Sequence, residues 1–302
     1  AQGGFFRLKH GGVTVRCRES LTEHTSAVAM AICADKAVTR RVVEAAGICV
    51  PAQISASVDR KELAAFLDSH GSVVVKPAIG EQGKGISVGL ATLADTEAAI
   101  AQAGMLSDDI LVEQYFEGKD LRLVVINFRV VAAAIRLPPM VVGNGRQTVG
   151  DLIKAQSRRR AAATNGESCI PLDTETERTI ASAGYTLDSV LPDGESLTVR
   201  KTANLHTGGT IHDVTDTTHP KLVAAAIKAA RAIDIPVTGI DFMVKSADES
   251  DYVFIEANER PGLANHEPQP TAERFVDLLF PLSMPAAARQ ALPGATETGD
   301  TA

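Results

Sequence analysis

Lys76 stands just ahead of the run Gly80-Glu81-Gln82-Gly83-Lys84-Gly85. Three glycines in six residues let backbone N–H groups converge on phosphate oxygens, while Lys76 and Lys84 supply positive charge. The spacing fits neither the P-loop nor the dinucleotide-binding glycine pattern. It is the pattern of a flap between two strands, although an ordinary glycine-rich turn with a solvated lysine would read the same in isolation. A second group is acidic. In Gly239-Ile240-Asp241-Phe242-Met243-Val244, strand alternation sends Ile240, Phe242 and Val244 to a core and Asp241 to the other face. Glu256 and Asn258 are two apart after an apolar run and share a side in extended backbone. If these strands are neighbours, Asp241, Glu256 and Asn258 present the hard oxygens that suit magnesium. Polar positions on a half-buried sheet are the competing reading. A third group, Arg200-Lys201-Thr202-Ala203-Asn204-Leu205-His206, could hold phosphate or carboxylate through Arg200 and Lys201 and orient it through Asn204. No acid accompanies His206, which is given no proton-transfer role.

These residues need elements to place them. Hydrophobic periodicity and stop signals predict helices over 27–33, 35–46, 59–69, 93–103, 152–160, 221–233 and 271–279. Strands are expected at 5–8, 13–15, 73–75, 86–90, 110–115, 121–128, 130–136, 197–200, 237–244 and 252–256, the pair around Asn127 forming a hairpin. Residues 161–196 read as polar and turn-rich, and the tail from Pro285 as frayed. Glu113 and Asp120 flank a turn at Gly118, where Asp120 alone would be a solvated loop residue. With 302 residues there is room for two lobes.

Composition narrows the partners. Thirty Lys and Arg against 37 Asp and Glu leave a net charge of −7, which argues against nucleic-acid or anionic-membrane binding surfaces. Aromatic residues make up only 4%, without tryptophan, so stacking platforms would be sparse. Cys17, Cys33, Cys49 and Cys169 are scattered, with no CxxC pair, and read as reduced thiols in a cytoplasmic protein. No run approaches the roughly 18 to 20 apolar residues of a membrane span. The start at Ala1 rather than methionine gives the expectation of a segment taken from something longer.

Taken together, the motifs make the chain resemble the ATP-grasp superfamily over residues 24–282. The carriers are Val74-Val75-Lys76-Pro77 with loop 80–85, Val112-Glu113-Gln114-Tyr115-Phe116-Glu117-Gly118-Lys119-Asp120, and Thr186-Leu187-Asp188-Ser189-Val190. Asn204-Leu205-His206-Thr207-Gly208-Gly209-Thr210 and Asp213-Val214-Thr215-Asp216 extend the match. It is similar to the ATP-grasp domains of cyanophycin synthetase and glutathione-synthetase-like peptide ligases. The stretch 258–280 looks more like N-acetylglutaminylglutamine synthetase, in which an acetyltransferase-like region comes first.

The resemblance implies an α+β fold of two lobes with ATP between them. Residues 48–116 would form the small lobe and 117–283 the large lobe with the magnesium site. Residues 1–47 would pack on the large lobe, and 284–302 would be a flexible tail. It implies ATP contacts from Lys36, Lys76, Gly80, Gly83, Lys84, Gly85, Lys201 and Asn204. An adenine hinge would run from Glu113 through Gln114 and Tyr115 to Phe116, with Asp120 on the ribose. Two magnesium ions, or manganese, would sit on Asp241, Glu256 and Asn258. Arg136, Arg200 and Arg260 would lie near the acyl phosphate or its carboxylate precursor. The implied activity is carboxylate–amine ligation of amino-acid or short-peptide substrates, with N-acetylglutaminylglutamine synthesis the first reading and cyanophycin- or glutathione-type ligation the alternative. A homodimer is the expected assembly. A catalytically silent nucleotide-binding module is the reading from another class.

Overall fold

The structure, a computed structural model, describes residues 4–79, 85–164, 166, 168–263 and 269–284. Gly80, Gly83 and Lys84, and the tail beyond Met284, therefore lie outside the described residues.

The chain opens with strands β1 (Phe5–His10), β2 (Val13–Arg18) and β3 (Leu21–Thr22), an antiparallel sheet in that order. Two helices follow, α1 (Ala27–Ala34) and α2 (Lys36–Ala45). Asp35 ends the first through its backbone amide, which donates to Ile32 O, and caps the second through its carboxylate, which accepts from the amides of Ala37 and Val38 at 2.9 and 3.0 Å. The cap makes Lys36 the first residue of α2.

A four-stranded antiparallel sheet comes next, in the order β4-β7-β5-β6, from β4 (Gln53–Ser55), β5 (Val73–Pro77), β6 (Ser87–Leu90) and β7 (Ile110–Gln114). Helices α3 (Arg60–His70) and α4 (Leu93–Ala103) cover one face of it, packing Leu63, Leu67, Ala99 and Ala103 on Val73, Val75 and Val112. Alternation then turns Lys76 to the opposite face.

The largest sheet has the order β12-β9-β8-β13-β14. It contains β8 (Lys119–Ile126), β9 (Arg129–Leu137), β12 (Thr210–Asp213), β13 (Val237–Val244) and β14 (Tyr252–Asn258). β8 and β9 are joined by Asn127 and Phe128, both left-handed at φ 52° and 56°, the two-residue geometry that suits the strand twist. Leu121, Leu123, Val125, Ile240, Phe242 and Val244 form the main core with α7 (Pro220–Ile233) and with Ala29, Cys33 and Val43 from α1 and α2. On the opposite face, Val124, Ile126 and Val237 pack with Val15 and Cys17 of β2 and with Phe275 and Leu279 of α8 (Thr271–Leu279). Farther along that face stand Asp120, Arg122, Arg136 and Asp241, with Ala134 and Gly239 between them.

Between β9 and β12 lies a unit with its own apolar cluster, formed by β10 (Met140–Val142), α5 (Val149–Ala163), α6 (Thr174–Ser182) and β11 (Ser196–Thr198). Helix α6 corrects the expectation of an irregular 161–196. Asp173 caps it through the Thr176 amide, and its buried positions are Thr176, Thr179 and Ile180. Threonines fill two of the three inward positions, so the apolar period is hidden in the sequence. Among the described residues no helix is long and apolar enough to cross a membrane.

Candidate active site

Four neighbouring strands place charged side chains on the polar face of the large sheet. Arg136 on β9 is registered opposite Asp120 on β8, Arg122 on β8 opposite Asp241 on β13, and Asp241 opposite Glu256 on β14. Glu256 comes directly opposite because β14 carries one extra residue, Ile255, at a shift in register between Asp241 and Phe242. Such a bulge re-aims side chains at a strand end. Asn258 follows two residues later on the same side, opposite Gly239.

Asp241 is 1% exposed and accepts from both arginines. Arg122 gives it Nε and Nη2 at 2.7 Å each, and Arg136 gives Nη2 at 2.7 Å. Burial pushes the Asp241 carboxyl up, but Arg122 and then Arg136 outweigh it and hold the group at about 2. Asp120 moves the other way. Burial drives it up to about 6, Arg136 opposes this, and the Asp241 charge adds to the rise. Arg136 binds Asp120 through Nε at 3.1 Å and Nη2 at 2.7 Å. Asp120 is thus a strand residue with a fixed cationic partner, not a solvated turn residue. The amide nitrogen of Asn258 is 3.4 Å from Asp241 Oδ2 and 3.4 Å from Glu256 Oε1.

On the small sheet, Lys76 and Glu113 form a second buried pair, Nζ to Oε2 at 2.6 Å. Gln53 donates to the other carboxylate oxygen at 2.6 Å. Lys36 joins the two sheets electrostatically. Burial lowers its pKa, Glu256 of the large sheet raises it, and Lys76 and Glu113 of the small sheet act on it in turn. Its backbone amide donates to Ala78 O just beyond β5, at 3.2 Å. Gly85 stands at φ +73°, and a Cβ there would lie 2.8 Å from Leu106 Cδ1. That backbone conformation favours glycine where the chain enters β6.

The remaining predicted residues are placed less centrally. Gln114 ends β7, and Tyr115 donates its amide to Ser72 O at 3.0 Å, with Phe116 following in the connection to β8. Lys201 reaches the small sheet: its Nζ would be 3.0 Å from a Cβ on Gly89 of β6. Asn204 Oδ1 accepts from the His206 amide at 2.8 Å, closing a turn. Arg260 donates to its neighbour Glu259 at 2.9 Å. Arg200 does not join the sheet face. It is 5% exposed and holds the start of α6, binding Asp173 at 2.6 Å, Thr176 Oγ1 at 2.8 Å, and Glu175. Its charge is matched there by two carboxylates, which corrects the expectation that it stands ready for a substrate. Arg122 is the central residue that the sequence reading passed over. Its signal was the alternation Asp120-Leu121-Arg122-Leu123, which puts Arg122 beside Asp120 on one face.

The donor chemistry at Asp241, Glu256 and Asn258 suits a hard divalent cation: two carboxylates and an amide. Among the described residues no group of three or more His, Cys, Asp and Glu side chains is clustered to hold a metal, so an amide has to complete this set. Rotation about the last bond of Asn258 exchanges its nitrogen for its oxygen at the same place.

A sheet face carrying paired carboxylates and arginines, with a lysine-bearing antiparallel sheet set against it, defines a class. The sequence model of the ATP-grasp domain matches residues 33–263, and the chain belongs to that family. Among curated proteins it is similar to cyanophycin synthetase from Nostoc sp. (strain PCC 7120), 33% identical over 290 residues covering 91% of this chain and 32% of that protein. It is also similar to the glutathione biosynthesis bifunctional protein GshAB of Clostridium perfringens (strain 13), 29% identical over 278 residues, 86% of this chain and 35% of that protein. The chain thus spans about a third of the curated relatives it matches. In fold it is similar to a bifunctional glutathione synthetase from Pasteurella multocida, with a TM-score of 0.63 at 24% identity, covering 92% of this chain and 41% of that one. The D-alanine–D-alanine ligase of Bacillus anthracis aligns with a TM-score of 0.53 at 14% identity, over 87% and 70% of the two chains. The α+β, two-lobed ATP-grasp fold is therefore established.

Proposed function

We propose that the chain is an ATP- and magnesium-dependent carboxylate–amine ligase that joins amino-acid or short-peptide substrates through an acyl phosphate. The observation that carries this reading is the convergence of Asp241, Glu256 and Asn258 with Arg122 and Arg136 on one sheet face. Bringing ATP to a carboxylate sets anion against anion. Lys36 and Lys76 lower that repulsion at the phosphates, with Lys201 and Asn204 beside them and Gly85 at the entry to β6; the expected phosphate contacts of Gly80, Gly83 and Lys84 fall outside the described residues. Glu113 to Phe116 hold the adenine, and Asp120 the ribose. Arg136 orients the acceptor carboxylate, and Arg260 assists at the rim. A bound magnesium would supply charge neutralisation at the transferred phosphoryl group, held by Asp241, Glu256 and Asn258. The amine then attacks the acyl carbon, phosphate leaves, and an amide forms. Closure excludes the water that would hydrolyse the intermediate.

For the substrate pair, the two relatives named above favour peptide ligation of the cyanophycin or glutathione type over N-acetylglutaminylglutamine synthesis. The test incubates purified chain with ATP, magnesium and a matrix of amines and carboxylates: free amino acids, N-acylated amino acids including N-acetylglutamine, and dipeptides. Nucleotides and new amides are resolved together. The expected result is ADP, phosphate and one amide in equal amounts, abolished by a chelator. ATP bound but never cleaved with any pair would overturn the ligase in favour of a silent nucleotide-binding module. Formation of N-acetylglutaminylglutamine would restore the other substrate reading and, with it, the upstream acetyltransferase-like region. Light scattering on the same preparation reads the homodimer.

A further inference from the structure

Asp241 is gripped twice, in two different ways. Arg122 holds it side-on, Nε to Oδ1 and Nη2 to Oδ2, both at 2.7 Å. The Arg122 side chain lies over Gly239. A Cβ at that glycine would stand 3.4 Å from Arg122 Nε, 3.5 Å from its Cδ and 3.2 Å from Pro261 Cβ. The guanidinium thus lies flat along the glycine backbone, in van der Waals reach of where a Cβ would stand. Arg136 is arranged otherwise. Nε and Nη2 both bind Asp120, and the same Nη2 also reaches Asp241 Oδ2 at 2.7 Å. That oxygen is the one beside the Asn258 amide, on the side where Glu256 stands. Oδ2 already receives Arg122 and Arg136, so a cation placed among Asp241, Glu256 and Asn258 would compete for it.

We propose that the two arginines have unlike duties at Asp241: Arg122 is a positioning residue that grips both carboxylate oxygens, and Arg136 is an exchangeable counter-charge that gives up Oδ2 when a divalent cation binds. This inference rests on the metal-site reading given above and adds an order to it. Until the cation arrives, the aspartate is neutralised by the protein's own arginines. Its arrival leaves Arg136 anchored on Asp120 alone, with hydrogen-bonding capacity for an anionic substrate. By reciprocity, a carboxylate that draws Arg136 away tightens cation binding by the same factor.

The test is titration of the purified chain with Mn2+, followed by its electron paramagnetic resonance, in the absence and presence of ADP. Arg136→Gln is expected to bind Mn2+ about three- to tenfold more tightly than the parent without nucleotide, because a competing charge is gone. Arg136→Lys keeps the charge but loses the fork that bridges both aspartates, and falls between the two. Arg122→Lys keeps the charge but loses the side-on grip. It should bind about threefold more weakly, with a broadened spectrum. Melting followed by circular dichroism confirms that each variant is folded. An Arg136→Gln protein no tighter than the parent overturns the exchange. An Arg122→Lys protein with parental affinity and line shape overturns the positioning role. A parent that fails to bind Mn2+ even with ADP overturns the metal-site reading itself, and this inference with it.

Discussion

In the small lobe, Lys76 and Glu113 meet 2.6 Å apart with side chains 5% and 8% exposed. On the large sheet, two arginines share two aspartates, and Arg136 touches both. The first arrangement is a single pair, with Gln53 on the spare carboxylate oxygen and the Lys36 charge nearby. The second is a network in which Arg136 keeps Asp120 if its contact with Asp241 is lost, and Asp241 keeps Arg122. A lone buried pair fails completely when either partner is removed, because the survivor remains charged and out of water. A network can pass a contact from one member to another. That difference suits a fixed wall in the small lobe and an adjustable floor in the large one.

The largest stability effect is expected on the single pair. Lys76→Met strands Glu113 and should lower the unfolding free energy by about 3–5 kcal/mol, read from urea denaturation. Asp241→Asn should cost less stability, since Arg136 keeps Asp120 and the asparagine oxygen still accepts one bond from Arg122, but should lower turnover by about a hundredfold to a thousandfold in an ADP-release assay. If Asp241→Asn unfolded the protein while Lys76→Met left it intact, the contrast between pair and network would be reversed.

A smaller effect separates the two aspartates by pH. Asp120 titrates in the native state at about 6, above the roughly 3.9 of an unfolded aspartate. Its native state therefore binds more protons between those values. The stability it contributes is full below about pH 4 and is lost as pH rises through about 6. Asp241, held at about 2, contributes in the opposite sense: its share is present above about pH 4 and is lost as pH falls toward 2. Asp120→Asn should remove the loss between pH 4 and 6, worth about 1–3 kcal/mol, and leave the acid limb in place. Urea midpoints across that range check it. The smallest expected change is from Gly239→Ala, whose methyl group would be tight against Pro261 and in ordinary contact with Arg122, and should cost about 1 kcal/mol. A null result there would mean that Pro261 gives way to the added methyl group.

Much of the frame was legible. The helices 93–103 and 271–279 and the strand 237–244 match their expected bounds, because each shows an unbroken apolar period between clear stop signals. Within the candidate site, the same-face relation of Glu256 and Asn258 followed from strand alternation alone. The pairing of Lys76 with Glu113 did not, since it depends on how β5 and β7 register, which neither strand states by itself. Arg122 was visible in the alternation of β8, but its meeting with Asp241 needed the neighbour relation of β8 and β13. Arg200 misled for a chemical reason. A basic residue before a glycine-rich connection looks available for an anion, whereas its partners, Asp173 and Glu175, lie more than twenty positions upstream.

The unit between β9 and β12 keeps its apolar cluster apart from that of the central sheet, and the two share no residue. Substitutions inside it should therefore add to those in the central core almost independently. The outline of this cassette can thus be reshaped by small steps without repacking the core that carries the charged floor.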